Sequence, residues 1–493
     1  MLGSELIGHL QAARLAPIAP EAWLAVTATE LTAVTADSRQ VAEGALFVAV
    51  PGAHADGRAF IADAVGRGAA AVVAPLGTEW PPGVPPRPLI ADAEPRRRLA
   101  QIAAIMAGAQ PRTLVAVTGT NGKTSSVDFL RQFWSLAGKP AASLGTLGVT
   151  APGIASGPGL TTPDPVALAR TLAELAAAGI QHAALEASSH GLDQFRLDGL
   201  RLAAGAFTNL TRDHLDYHGS VAAYRAAKLR LFSELLPQGA PVVASTALDP
   251  ESMAELLQIT RQRRLDVLTV GERATFLALI DSTPLPAGQS LDLLHAGRRY
   301  KIEIALPGRF QADNVLVAAA LAMATGNIKA LDLLPRLVGV RGRMELAARL
   351  DNGAAVYVDY AHTPDALQRL LTALRPHTTG RLHVVFGAGG DRDPGKRPLM
   401  GAAASTYADV VIVTDDNPRS EAAEKIRAAV LEGCPGGIEI AGRQAAIAAA
   451  LSGLAAGDVL AVAGKGHEQG QTIGSETLPF DDVAVVRRLV SLS

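Results

Sequence analysis

An apolar run, Leu114-Val115-Ala116-Val117, drops through Thr118-Gly119-Thr120-Asn121-Gly122-Lys123-Thr124 into an amphipathic segment at 125–136. A strand that ends in a glycine turn and opens a helix leaves few options for a chain. The strand must belong to a sheet whose carboxyl end faces a ligand, and the helix must pack back against that sheet. Backbone N–H groups and the positive helix end then face an anion. Lys123 reaches the β/γ-phosphates and the Thr124 hydroxyl can serve Mg²⁺. The general pattern G-x-x-x-x-G-K-[ST] would place its first glycine at Val117, so the reading rests on Gly122-Lys123-Thr124 and the elements flanking them.

A chain of 493 residues exceeds one core and suggests about three domains. Its 48% hydrophobic and 19% charged residues supply several globular cores, and a net charge of −2 excludes a global pull toward nucleic acid or a membrane surface. Any anionic ligand needs a local site. Cys434 is the only cysteine, which forbids an internal disulfide and fits a reducing compartment. The first residues show no signal-peptide pattern and no uncharged apolar run reaches a membrane span. These features lead to the expectation of a soluble, cytoplasmic protein.

The first 110 residues alternate short strands (46–50, 69–74) and helices (59–66, 95–107), with Asp37-Ser38-Arg39 at a strand end. Read alone, that cluster is a solvated turn. The middle region resumes with a strand near 141–144, Thr161-Thr162-Pro163-Asp164, a helix at 165–178, and a strand, 182–186, that delivers Glu186 just before Ser188-Ser189-His190. A carboxylate there is either a rim charge or the second Mg²⁺ group of a nucleotide-binding sheet. The loop at 209–218, with Asp213, His214, Asp216 and His218, is either a hydrogen-bonded turn or a metal and phosphate rim. A helix at 221–235 carries Lys228, small antiparallel strands follow within 277–307, and an Ala-rich helix at 312–325 carries Asn314.

From about residue 338 five apolar runs (356–358, 384–386, 410–413, 438–441, 460–462) each end in a polar loop. Their spacing suits right-handed βαβ crossovers, whose ligands sit at the strand carboxyl ends. The fold expected is α/β in three domains. Residues 1–110 form a small α/β domain, 111–337 a P-loop-type, mostly parallel sheet, and 338–493 a Rossmann-like doubly wound sheet.

Gly119-Thr120-Asn121-Gly122-Lys123-Thr124 is similar to the ATP loop of the Mur ligases and their folylpolyglutamate synthase relatives. Asp37-Ser38-Arg39, Thr161-Thr162-Pro163, Ser188-Ser189-His190, Ala227-Lys228, Gly342-Arg343-Met344-Glu345, Asp359-Tyr360-Ala361-His362, Asp416-Asn417-Pro418-Arg419 and Gly464-Lys465-Gly466-His467-Glu468 extend the resemblance over the whole chain. The run after Arg419 departs from the family, which usually continues to an Asp-Pro pair where Ser420-Glu421-Ala422-Ala423 stands here.

The resemblance implies an ATP- and Mg²⁺-dependent ligase of peptidoglycan precursor synthesis. It would act as a monomer and join meso-diaminopimelate to the D-glutamyl side-chain carboxylate of UDP-N-acetylmuramoyl-L-alanyl-D-glutamate. Lys123, Thr124 and the rest of the 119–124 loop would hold ATP phosphates, Asn314 the adenine, and Arg343, Asp359 and His362 would close over the nucleotide. Thr124, Glu186, His214 and a carbamylated Lys228 would surround the metal. Ser38, Thr161, Thr162, Ser188 and Arg196 would position the muramoyl peptide. Arg392, Asp416, Asn417, Arg419, Gly464 and Glu468 would hold the amino acid. Catalysis would rest on Lys123, Lys228, His214 and Arg343. The rival substrates are L-lysine, disfavoured by Asp416-Asn417-Pro418-Arg419, and a folate polyglutamate, disfavoured by the additional N-terminal domain.

Overall fold

The computed structural model describes residues 1–12, 18–52, 55–155, 157, 159–285, 287–327 and 329–491. The chain divides into two compact units, residues 1–268 with 320–327, and 269–319 with 328–493.

The first unit begins with four parallel strands in sequence order: β1 (Val34–Thr35), β2 (Leu46–Val48), β3 (Ala71–Pro75) and β4 (Leu89–Asp92). Successive strand residues point to opposite faces, and both faces are covered. Leu46, Val48, Val73 and Ile90 meet Leu99 and Ile102 of the helix Pro95–Ala107. Phe47, Val72 and Ala74 meet Ile61 and Val65. The Pro95–Ala107 helix starts on a proline and stops at Gly108, whose φ of 72° ends the helical path.

The second sheet of this unit contains β5 (Thr113–Thr118), β6 (Ala141–Gly145), β7 (Gly148–Ala151), β8 (Ile154–Ala155), β9 (His182–Glu186), β10 (Ala204–Phe207) and β11 (Pro241–Ser245), in the order β11-β10-β5-β9-β6-β7-β8. β5 lies between β10 and β9, parallel to both, and only β7 and β8 run antiparallel to their neighbours. Leu114, Ala116, Leu144, Leu185 and Phe207 build the core with Leu168 and Leu172 of the helix Pro165–Ala177.

β12 (Asp266–Gly271) leads into the second unit. There, β13 (Leu277–Leu285), β14 (Gly288–His295) and β15 (Arg298–Ile304) form the antiparallel ribbon expected at 277–307. Buried His377 pins it: Nε2 accepts the Gly308 N–H at 2.8 Å and Nδ1 donates to the Leu285 carbonyl at 2.8 Å. The remaining sheet holds β16 (Glu345–Arg349), β17 (Ala355–Asp359), β18 (Leu382–Phe386), β19 (Val410–Val413), β20 (Ile438–Glu439) and β21 (Val459–Ala463). Its order is β16-β17-β21-β18-β19-β20, parallel except at β16.

Tyr357, Val384, Phe386 and Ala461 fill one face of that sheet, while Val356, Val358, Val385, Leu460 and Val462 fill the other. Burial on both faces explains the unbroken apolar runs. The expected strand at 438–441 shrinks to two exposed residues at the sheet edge. The helix expected over 221–235 is α-helical for Val221–Arg230 and becomes a π-turn at Leu231–Leu235. A hairpin of β22 (Gly470–Ile473) and β23 (Glu476–Pro479) follows the last loop.

Candidate functional site

At the end of β5 the chain turns through Gly119, with φ of 149°. A Cβ there would lie 1.9 Å from Thr208 Oγ1, so only glycine fits the turn against the end of β10. Asn209 then fixes the loop: its carbonyl accepts from Thr120 N at 2.9 Å and its Oδ1 from Asn121 N at 3.0 Å. Gly122, left-handed at φ 84°, opens the helix Lys123–Leu136, with Thr124 in its first turn.

Two lysines share one acceptor in this loop. Lys123 Nζ donates to the carbonyls of Gly119 (2.9 Å) and Thr120 (2.8 Å), and Lys228 Nζ donates to the same Gly119 carbonyl at 2.8 Å. Lys228 is 1% exposed. Burial, reinforced by the nearby charge of Lys123, holds its ammonium well below the usual lysine range. Its Nζ lies 4.4 Å from the centroid of the Tyr224 ring. Burial pushes the Tyr224 phenol up to about 12, and its hydroxyl meets Thr120 Oγ1 at 3.1 Å.

Glu186, 2% exposed at the end of β9, anchors a second constellation. Its carboxylate accepts from Thr146 N at 2.9 Å, and its carbonyl accepts from Thr162 Oγ1 at 2.7 Å. Thr162 Oγ1 in turn accepts from Ser188 N and Ser188 Oγ, both at 3.0 Å. Thr161 Oγ1 meets Thr146 Oγ1 at 3.0 Å. Arg196 donates to the Thr162 carbonyl at 2.5 Å and to Gln194 Oε1 at 2.7 Å. No ion pair to Arg196 is present among the described residues, and burial lowers its pKa.

Arg196 is aimed by its neighbours. Phe195, left-handed at φ 57°, lies between the guanidinium groups of Arg97 and Arg230, at 5.3 and 4.3 Å from its ring centroid. Buried Asp198 pairs with both arginines. Thr161 and Thr162 on one segment, Ser188 after β9 and Arg196 further on are thus brought together around Glu186. Ser38 stands apart from them: it is buried at the end of the N-terminal β1 loop, and its hydroxyl holds the Asp63 carboxyl below the usual carboxylate range.

His214 has φ of 49° and precedes the short helix Leu215–His218, half-exposed beside Asp213. Its ring packs edge-on to His190 at 4.9 Å and lies 6.2 Å from Tyr224. No group of three His, Cys, Asp or Glu side chains among the described residues is arranged to hold a metal by itself. Two oxygen donors, the Glu186 carboxylate and the Thr124 hydroxyl, fit a hard cation, with the His214 ring as a softer third donor and phosphate oxygens and water to fill the shell.

In the second unit, Asn314 is 5% exposed on the helix Arg309–Ala324 and donates to Gln311 Oε1 at 3.1 Å. Asp359 ends β17 and accepts from Met344 N and Ala361 N, both at 2.8 Å. Burial pushes its carboxyl up, and those two N–H groups and Arg343 oppose the rise. The Arg343 guanidinium lies 5.3 Å from the centroid of the Tyr360 ring, and His362 Nδ1 meets the Tyr360 carbonyl at 2.8 Å. Gly342 sits so close to the 464–468 loop that a Cβ would stand 2.2 Å from His467 N. The Gly464 N–H also donates to the Asp359 carbonyl at 3.0 Å, so the residues assigned to the nucleotide and those assigned to the amino acid are joined through the backbone.

That loop and the 416–419 loop form a hydrogen-bonded pair. Asn417 Nδ2 donates to Glu468 Oε2 at 2.9 Å, while Lys465 Nζ donates to Asn417 Oδ1 (3.0 Å) and Glu468 Oε2 (3.1 Å). Gly464, at φ 118°, abuts Asp416, where a Cβ would lie 2.6 Å from Oδ2. Asp416 Oδ2 is buried without a hydrogen-bond partner among the described residues.

Arg419, left-handed at φ 51°, donates from its side chain to the Gly390 carbonyl at 2.7 Å and from its N–H to the Thr472 carbonyl at 3.1 Å. It forms no ion pair among the described residues. Arg392 is exposed, and its guanidinium reaches only the Asp391 carbonyl, at 3.3 Å. The sequence reading missed Thr146, Tyr224, Lys465 and Arg443. Arg443 is fully buried, grips Asp482 through two 2.7 Å bonds and donates to the Ala463 carbonyl at 3.0 Å. For Lys465 a signal existed: a lysine between two glycines just after an apolar strand.

Three family descriptions match the chain: "Mur ligase family, catalytic domain" over residues 30–104, "Mur ligase middle domain" over 117–322, and "Mur ligase, glutamate ligase domain" over 342–466. Among curated relatives, the UDP-N-acetylmuramoyl-L-alanyl-D-glutamate--2,6-diaminopimelate ligase of Rhizobium meliloti (strain 1021) is 54% identical, covering 93% of this chain and 94% of that one. The enzyme of the same name from Caulobacter vibrioides is 52% identical, covering 92% and 94%. A solved structure of a ligase with that name superposes with a TM-score of 0.74 at 32% identity, covering 98% of each chain. A Mycobacterium tuberculosis folylpolyglutamate synthase, at 20% identity and a TM-score of 0.56, shares the fold. Sequence, architecture and relatives agree, and the chain belongs to the Mur ligase family.

Proposed function

We propose that this chain is an ATP-dependent ligase that joins meso-diaminopimelate to the D-glutamyl side-chain carboxylate of UDP-N-acetylmuramoyl-L-alanyl-D-glutamate. The observation that carries the reading is the pairing of the 416–419 and 464–468 loops. The first carries Arg419, a guanidinium without a carboxylate partner among the described residues that donates to the Gly390 carbonyl, and two residues before it Asn417 donates to the carboxylate of Glu468 on the second. A distal zwitterion matches that pair, whereas lysine would leave Arg419 without its anion. Near-full-length relatives of that name, about half identical to this chain, support the same choice.

A carboxylate and an amine do not condense usefully without activation. The γ-phosphoryl group of ATP passes to the glutamyl carboxylate, the amine attacks the resulting acyl phosphate, and phosphate leaves. Two anions must approach in the first step, so cations gather there. Lys123 supplies one from the 119–124 loop and Arg343 another. Mg²⁺, held by Glu186, Thr124 and His214 with phosphate oxygens, would neutralise phosphate charge.

Lys228, as the carbamate, would replace a repelled ammonium with an anionic oxygen ligand. Its depressed pKa supports this, because only the neutral amine adds CO₂. Arg196, with Thr161, Thr162, Ser188 and Ser38, holds the muramoyl peptide. Asn314, Asp359 and His362 hold the nucleotide. Arg392, Asp416, Asn417 and Gly464 complete the amino-acid site.

The three domains are drawn at 1–110, 111–337 and 338–493. No helix among the described residues is long and apolar enough to cross a membrane. The enzyme works in the cytoplasm as a monomer, where its nucleotide-linked substrate is made. The test is ATP-dependent product formation from the muramoyl dipeptide with meso-diaminopimelate against L-lysine. Ligation of diaminopimelate is expected. Equal use of lysine would reject the amino-acid assignment, and no ligation with either would reject the activity.

A further inference from the structure

Lys465 is the one charged side chain of the 464–468 loop that the proposed reaction does not use. Its side chain is 0% exposed, and its ammonium bridges Asn417 and Glu468, two residues assigned to the amino acid. We propose that Lys465 determines specificity, because it makes the distal amino-acid subsite electrically neutral and so sets it for a zwitterion rather than a cation. This inference rests on the ligase reading above.

The charges around the subsite carry the argument. Among the side chains of the subsite that are buried or half-buried, Lys465 and Arg419 are the cations and Glu468 and Asp416 the carboxylates; Arg392, assigned to the same amino acid, is exposed and its charge is screened by water. Of the neighbouring charges, Arg443 is matched by Asp482 and Arg427 by Asp415, while the second carboxylate on Arg427, Glu439, is half-exposed and screened by water. A neutral subsite built on a fully buried cation, Lys465, favours a guest whose own charges cancel, since an excess charge there is poorly compensated. The distal end of meso-diaminopimelate is such a guest. Its carboxylate would meet Arg419, and its ammonium would meet the free oxygen of Glu468 and the unpartnered Asp416 Oδ2.

L-Lysine brings an ammonium alone. With Lys465 already bonded to Glu468 Oε2, the pocket would then hold one positive charge too many. Lys465 also fixes geometry. Its 3.1 Å bond and the 2.9 Å bond from Asn417 hold Glu468 Oε2, its 3.0 Å bond to Asn417 Oδ1 fixes that amide, and Glu468 Oε1 is left to the ligand.

Removing the Lys465 charge leaves the subsite with one net negative charge and shifts the preference toward lysine. The test compares kcat/KM for meso-diaminopimelate and for L-lysine in the wild-type enzyme and in Lys465→Met, with the KM for ATP as control. The expected result is a fall of about tenfold or more in the ratio of diaminopimelate to lysine, the size of one charged hydrogen-bond partner. Lysine use should rise in absolute terms, with the KM for ATP within about twofold of wild type. Lys465→Gln makes the same charge change while keeping a donor toward Asn417 and Glu468, and it must shift the ratio in the same direction.

An unchanged ratio with both amino acids impaired alike would overturn the inference. So would loss of the folded state in both variants, which would assign Lys465 to the fold alone. A wild-type enzyme that ligates neither amino acid would instead reject the ligase reading, so the two failures are distinguishable.

Discussion

The role proposed for Arg419 separates binding of the amino acid from binding of the nucleotide. Its backbone is held by the β22 hairpin and its guanidinium by the Gly390 carbonyl, so it is positioned before any ligand arrives. Truncation removes one charge-assisted partner of the distal carboxylate, about 1.5–3 kcal/mol or roughly ten- to hundredfold. Arg419→Ala is expected to raise the KM for diaminopimelate by that factor with the KM for ATP unchanged; a matching rise in both would place Arg419 elsewhere. Lys228 yields a second prediction. Its pKa is depressed by burial and by Lys123, so the neutral amine that adds CO₂ becomes more abundant as pH rises. As pH falls through that depressed value, the ammonium returns and the carbamate is lost. Activity in CO₂-depleted buffer should therefore fall most at the acid end and return with bicarbonate. Lys228→Ala should be inactive and partly rescued by acetate, and full activity without acetate would dismiss the role.

At the scale of elements, the strand ends set the chemistry, and glycine decides how closely they approach. Gly145 closes β6 with ordinary backbone angles, yet a Cβ there would sit 1.9 Å from Glu186 Oε1 and 2.4 Å from its carboxyl carbon. Gly145→Ala must push the buried carboxylate away from Thr146. Overpacking of this kind costs about 1–3 kcal/mol, which thermal unfolding should register as a fall of roughly 2–12 °C. Activity should drop further than stability explains, because the carboxylate assigned to Mg²⁺ is the group displaced. The sequence revealed β5, β9, β17, β18, β19 and β21 because they are buried on both faces and read as unbroken apolar runs. It did not reveal β16, whose residues are only partly buried, nor the β22–β23 hairpin, whose strands are mostly exposed and polar. Most residues of the candidate site could be named from motifs, whereas their partners could not. Thr146, Tyr224 and Arg443 act through contacts between segments far apart in sequence, and no local pattern marks such a pairing. Phe195, the neighbour of Arg196, likewise meets Arg97, which lies 98 positions earlier.

For the whole molecule, the groups assigned to the reaction are divided between the two units. Lys123, Lys228, Glu186 and Arg196 belong to the first, and Asn314, Arg343, Arg419 and Glu468 to the second. Neither unit alone carries the cations for phosphoryl transfer together with the groups for the incoming amine. A protein that used ATP only as a conformational switch would need no acceptor carboxylate and no amine, and its phosphate release would be indifferent to both. A ligase differs, because water reaching the phosphoryl group would waste ATP, and an acyl phosphate left without an amine would hydrolyse. Steady-state phosphate release by the full chain is therefore expected at background with ATP alone. It should stay low with ATP and the muramoyl dipeptide, and rise to one phosphate per amide formed only when diaminopimelate is added. With the glutamyl carboxylate labelled with ¹⁸O, one labelled oxygen should appear in the released phosphate, since the oxygen that receives the phosphoryl group leaves with it. Release that proceeds at full rate without dipeptide, or phosphate free of label, would remove the acyl phosphate from the mechanism and with it the need for Lys123 and Arg343 to meet two anions at once.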